Sequence, residues 1–232
     1  MTTVGVICGD RWHPSETVIT GLQGVIENSK GRIQGQQSGE TQSPQEDVKL
    51  EVLQQGDDLT KGWLANKNVV VLAKLNHMSE KDTTPWLTTD IKLALMEYVA
   101  NGGGLLVIHA GTVGFKDDPA FCKFIGGVFA YHPDACRVTL TFNPSAAPFH
   151  IQHTENVVIF DEHYMMDMAE DDLEVFMTAD SEHGMQAAGW VKYYGKGKVC
   201  TLTPGHFLDV WREREYQDII ANSLNWCANS KK

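Results

Sequence analysis

The sequence predicts an α/β protein built on a doubly wound, mainly parallel sheet flanked by helices, and three observations carry that expectation. Short apolar runs alternate with segments of helical spacing through the first half of the chain, with no internal repeat. The runs Val4–Cys8, Val69–Ala73 and Leu105–Ile108 are apolar at successive positions, as strands covered on both faces must be. Polar residues then recur where these runs stop, which is the edge at which open α/β sheets bind ligands. At 232 residues and 42% hydrophobic, the chain can bury one sizeable core, so a single domain over 1–232 is expected.

Each element follows in order. Val4–Cys8 ends at Gly9-Asp10, and Pro14-Ser15 opens a helix through Asn28 with Val18, Leu22, Val25 and Ile26 on one face. Ser29–Asp47 is polar and rich in Gly, Gln and Ser, and reads as a mobile surface loop rather than a domain linker. Strand Val48–Val52, a helical piece near Leu59–Leu64 and strand Val69–Ala73 come next, the last of these leaving into Lys74-Leu75-Asn76-His77. Asp90–Ala100 has Ile91, Leu95, Tyr98 and Val99 at helical spacing, is ended by Gly102–Gly104, and delivers Leu105–Ile108 with His109 at its exit. Beyond His132 the texture becomes strand-like: Val138–Phe142, Val157–Phe160, Leu173–Thr178, Gly189–Tyr194 and Lys198–Thr203, with additional C-terminal hairpin strands joined at Gly195-Lys196-Gly197. A helix, Tyr216–Ala228, closes the chain and packs Ile219, Ile220, Leu224 and Trp226 on the sheet.

Composition excludes several function classes. Nineteen Lys and Arg against 30 Asp and Glu give a net charge of −11, which opposes both nucleic acid and anionic membrane as partners. No window is apolar enough to span a membrane, and the chain opens into a strand rather than a basic leader, so a cytoplasmic location is expected. Five scattered cysteines without a CxxC indicate neither a disulfide frame nor a cysteine zinc site. No GxGxxG follows a strand, so no nucleotide is expected. A homodimer is an expectation of base rates alone.

The chemistry-bearing residues gather at the strand exits: Asp10 and His13, Asn76 and His77, His109, Asp161-Glu162-His163-Tyr164, and Gly205-His206. Imidazoles converging with a carboxylate suit general acid–base work or a divalent metal, zinc or manganese, and the spacings do not choose between the two. His109, His132, Glu162, His206 and Tyr164 are read as catalytic, with His109, His132, Glu162 and His206 also the candidate metal ligands. Asp10, Trp12, His13, Asn76, Gly111, His163 and Trp211 are read as substrate-binding positions. The plain alternatives are a backbone carbonyl as partner for His132 and a core or rim position for Trp211.

Five motifs in order, GGGLLVIHAG from Gly102, IGGVFAYH from Ile125, FDEHY from Phe160, YYGKGKV from Tyr193 and TPGH from Thr203, resemble the ThuA (trehalose utilization) family, a branch of the class I glutamine-amidotransferase-like fold. The resemblance implies a flavodoxin-like sheet. Glutamine-hydrolysing members of that fold carry a cysteine at the turn after the equivalent strand, where this chain has His109-Ala110-Gly111, so it is not expected to be a glutamine amidotransferase. The family's setting in disaccharide catabolism implies a small-molecule carbohydrate, a keto-sugar or keto-glycoside, cleaved or isomerised by acid–base, or metal-assisted, chemistry. In that expectation His109 or Glu162 removes the proton beside the ketone, while His206, His132 and Tyr164 polarise the ketone or protonate the leaving oxygen. The alternatives are a non-catalytic sugar-binding or interaction protein and a hydrolase of another carbonyl substrate.

Overall fold

The computed structural model describes residues 1–35, 47–78, 81–151, 155–169 and 173–229. It bears out the expected α/β architecture. Strands β1 (Thr2–Cys8), β2 (Val48–Leu53), β3 (Val69–Ala73) and β4 (Gly104–Ile108) pair in parallel, with β11 (Gly197–Leu202) parallel to β4. Their order, β2-β1-β3-β4-β11, is flavodoxin-like, and β1 and β3 diverge at its switch point. Helices α1 (Ser15–Gly35), α2 (Lys61–Leu64), α3 (Thr89–Ala100) and α4 (Pro119–Ile125) fill the connections, and α5 (Leu208–Arg212) and α6 (Arg214–Ala228) end the chain.

The continuous apolar runs are explained by two cores, because alternate residues of each strand point to opposite faces. Val4, Val6 and Cys8 of β1 join Leu106 and Ile108 of β4 against Leu22, Trp211, Tyr216 and Ile220. Ile7, Leu72, Leu105 and Val107 meet Leu64, Leu95, Val99 and Phe124 on the other side. All five cysteines are free.

Beyond β11 the sheet continues antiparallel through β10 (Gly184–Tyr194), β9 (Glu174–Ser181), β6 (Cys136–Phe142) and β7 (Val157–Asp161). Four reversals return β7 to the direction of β4, so its exit lies on the same edge. Five inter-strand spacings separate β7 from β4, about 24 Å in a flat sheet, yet Glu162 just past β7 comes within 3.3 Å of His109 just past β4. The sheet therefore curls. Val138, Leu140, Val157 and Ile159 of the antiparallel strands share one core with α1, α5 and α6, which is the body they curl around.

Several details depart from expectation. α1 runs on to Gly35, because the polar stretch after Asn28 continues the helix, and 36–46, the rest of the expected loop, lies outside the described residues. β5 (Gly127–Tyr131) and β8 (Met165–Met168) form a separate two-stranded ribbon that short mixed sequences did not announce. β10 begins at Gly184, earlier than expected, and turns into β11 across Gly195-Lys196 as anticipated. Among the described residues no helix is long and apolar enough to cross a membrane.

At the start of β4 the sheet touches α6 directly. A Cβ added at Gly104 would overlap the Cys227 carbonyl, which is backbone and cannot rotate away. Gly104→Ala is expected to lower unfolding stability by about 1–3 kcal/mol, read from urea denaturation, and a wild-type curve would contradict this packing.

Candidate active site

The site is built outward from the end of β4. His109 is the one non-glycine residue with positive φ among the described residues, at 45°. Such a backbone costs about 1–3 kcal/mol and persists where surrounding structure over-determines it. Here the surroundings are specific. Thr112 Oγ1 donates to the His109 carbonyl at 2.8 Å, closing a 3-10 turn, and Gly111 sits so close to the Leu72 carbonyl that no side chain fits. The His109 ring is 2% exposed, with Nδ1 2.8 Å from the Thr203 carbonyl oxygen and Nε2 2.9 Å from the Tyr164 hydroxyl. A carbonyl only accepts, so Nδ1 carries the proton and Nε2 receives the Tyr164 O–H.

A second imidazole is fixed in the same manner after β1. Asp10 Oδ1 takes the backbone N–H of Trp12 and of His13 at 3.0 Å and the His13 Nδ1–H at 2.8 Å, while Oδ2 takes the Leu75 N–H. Burial works against the Asp10 charge, but the His13 bond and these amides outweigh it and lower its pKa. The Asp10 carboxylate is thus an acceptor that leaves His13 with its lone pair on Nε2.

The third imidazole, His206, is set by a buried carboxylate. Asp161 accepts the backbone N–H of Gly205 at 2.7 Å and of His206 at 3.1 Å, and burial pushes its pKa up to about 7 despite these bonds. Trp211 Nε1 donates to the Gly205 carbonyl, and Tyr216 donates to that of Pro204. Asp161 clamps the His206 loop. Nothing in the DEHY motif announces this role for it.

Glu162 closes the arrangement. Its carboxylate lies 3.3 Å from His109 Nε2, 3.2 Å from His206 Nδ1 and 3.6 Å from His132 Nε2. Burial disfavours its charge, but the His206 imidazole beside it favours it, and its pKa lies below the usual carboxylate range. Burial takes His109 down to about 4, whereas the Glu162 carboxylate raises His206. The Tyr164 phenol is held protonated, its pKa raised by burial and by nearby carboxylates. His132 stands at the rim, its side chain 35% exposed and its Nδ1 2.7 Å from the Pro133 carbonyl, so its Nε2 lone pair faces the cleft. The backbone carbonyl foreseen for His132 coexists with a place in the site.

The structure therefore brings together Asp10, His13, His109, His132, Glu162, Tyr164 and His206. One donor atom each from His13, His109, Glu162 and His206 lies within 4.8 Å of the other three. His13, read as substrate-binding, takes the place in this set expected for His132.

Four other positions are corrected. His163 is 2% exposed and directs Nδ1 to Ser181 Oγ at 2.7 Å, away from the cluster, because residues of an extended segment alternate and Glu162 and Tyr164 occupy the site side. Asn76 spends its amide on the Leu87 N–H and the Gly114 carbonyl, tying loops together. Gly111 serves the close approach to β3. Trp211 is fully buried against Gly21 and has no face for a sugar. Trp12, by contrast, is 58% exposed under the Arg11 guanidinium and borders a groove of about 520 Å³ shared with Gln54, Gln55 and His77.

The comparisons with known proteins agree with this fold. A family model described as ThuA, trehalose utilisation, matches residues 18–227. The chain belongs to the ThuA family. The structure of this ThuA family member resembles a ThuA-like protein of Parabacteroides merdae at 17% identity and TM-score 0.70, covering 98% of this chain and 90% of that one. A ThuA-like protein of Bacteroides uniformis gives 16% identity and TM-score 0.68 over 99% and 92%. A cytoplasmic protein of Salmonella typhimurium LT2 gives 13% and 0.64 over the whole of both chains. No curated protein matches in sequence. Family membership supports a carbohydrate-related role for this ThuA protein.

The clamp on its His206 loop is open to test. Asp161→Asn replaces one acceptor oxygen with an N–H donor facing backbone donors, at a cost of about 1–3 kcal/mol. The expected result is a lower urea midpoint together with shifted His206 ring resonances, and unchanged resonances would contradict the clamp.

Proposed function

We propose that this ThuA protein is an enzyme that cleaves or isomerises a keto-sugar or keto-glycoside. The observation that carries the reading is the convergence of three imidazoles, a carboxylate and a protonated phenol on one solvent-open point at the strand exits. Glu162 and His206 keep side-chain exposures of 15% and 20%, so a small molecule reaches them. A ketone acidifies the neighbouring C–H, and the enolate it becomes needs a positive charge beside its oxygen. The His13–His109–Glu162–His206 cluster is placed to receive that oxygen; a protonated His206 would supply the charge, as would a divalent ion held by these four residues.

Two groups outside the cluster are placed to move protons. His132 presents a lone pair on Nε2 at the rim, where it exchanges with solvent, and acts as the base. Tyr164, held protonated, donates to the departing glycosidic oxygen. This reverses the expected duties of His132 and His109, since His109 Nε2 is turned into the cluster whereas His132 stands at the exposed rim. An imidazole stands at the strained turn after β4, which disfavours thiolate acyl transfer, and Cys122 donates to the Asp167 carbonyl instead.

An NMR time course with 3-keto-trehalose and a panel of other keto-glycosides tests the reading. Wild-type protein is expected to convert at least one of them, and His132→Ala and Tyr164→Phe to slow it by about 100-fold or more. Binding heat without product would replace the enzyme by a sugar-binding protein, and full rates in both variants would discard these roles.

A further inference from the structure

The centre of the site is a cage of electron pairs. His13 gives its Nδ1 proton to Asp10 and His109 gives its own to the Thr203 carbonyl, so each ring is left with an unprotonated Nε2. Glu162 adds a carboxylate between His109 and His206. His206 Nδ1 is buried and completes a hydrogen bond with no described group. The Tyr164 hydroxyl donates to His109 Nε2 at 2.9 Å, a bond that an ion on that nitrogen would replace. Lone pairs and a carboxylate facing one another within 4.8 Å repel unless a cation stands among them.

We propose that His13, His109, Glu162 and His206 bind one first-row divalent transition ion, zinc or manganese, through three imidazole nitrogens and one carboxylate oxygen. The donor types suit such ions, since imidazole and carboxylate together are neither a hard all-oxygen cage nor a thiolate site. Ligand bonds of about 2.1 Å set donors roughly 3–4 Å apart, so the 4.8 Å envelope closes by small side-chain shifts. The outer partners are also those of a metal centre. A ligating histidine gives its second N–H to a carboxylate or a carbonyl, and Asp10 and Thr203 provide one of each. His132 stays outside this set, on the far side of Glu162 at 3.6 Å. What the bound ion does rests on the keto-sugar reading, where it would act as Lewis acid toward the ketone oxygen; whether it binds does not.

Tag-free protein, stripped with chelator, is titrated calorimetrically with Zn²⁺ and separately with Mn²⁺, and the retained metal is counted after gel filtration. Wild-type protein is expected to hold about one equivalent of at least one of the two ions. Glu162→Gln and His13→Ala should weaken binding by at least about 100-fold, and Asp10→Asn by about 10- to 100-fold. His132→Ala should bind as wild type does, with circular dichroism reporting that each variant is folded. Less than about a tenth of an equivalent on the wild-type protein overturns the proposal without recourse to any variant. Full affinity in folded Glu162→Gln overturns it too. A stoichiometric ion on a protein that converts no keto-glycoside upholds the metal centre and removes the substrate reading, whereas conversion by a protein that retains less than about a tenth of an equivalent after titration upholds the substrate reading and removes the metal centre.

Discussion

Everything in this site depends on where two protons are held. The Nδ1–H groups of His13 and His109 are committed to acceptors that cannot give a proton back, the ionised Asp10 and the Thr203 carbonyl. That commitment fixes ring orientation and tautomer together, and turns two ordinary buried histidines into a pair of directed lone pairs. Glu162 and His206 then complete a centre whose charge balance depends on a cation or a shared proton. Tyr164 and His132 flank it, the first a phenol held protonated and the second an imidazole with its Nε2 toward the cleft.

The fold supplies this convergence by two separate means. The parallel strands bring Asp10, His13, His109 and Thr203 to one edge by direction alone, as a doubly wound sheet must. Glu162 arrives differently, from the outermost strand of the antiparallel extension, and reaches the centre because that extension curls around α5 and α6. The same helices hold His206 in place, since Trp211 and Tyr216 bond the carbonyls of Gly205 and Pro204 from below. Core packing and site geometry are therefore one structure here. A Trp211 that faced a sugar would leave the His206 loop without its anchor.

The sequence made the scaffold legible because hydrophobic runs, glycine turns and helical spacing report burial directly. His109 and His206 could be singled out because each follows an expected strand, and Glu162 because it lies in the DEHY motif that carries the family resemblance. What escaped was pairing across the sheet. Asp10 and His13 stand three apart in one loop, yet nothing in that spacing says that the carboxylate takes the ring proton. Asp161 looked like one more acid, and only the proximity of the β7 and β11 exits makes it the clamp on Gly205 and His206. Alternation along DEHY puts Glu162 and Tyr164 on one side and His163 on the other, a signal that the sequence does carry. Asn76 and Gly111 were misjudged because close backbone approaches leave no mark on a sequence.

The most direct measurement is long-range ¹H–¹⁵N correlation on metal-free protein labelled at histidine, which reads the tautomer of each ring at neutral pH. Both His13 and His109 should appear as neutral Nδ1–H tautomers with an unprotonated Nε2. Either ring found as the Nε2–H form, or averaging between forms, would mean that the lone pairs are not directed inward, and would contradict the account at its base.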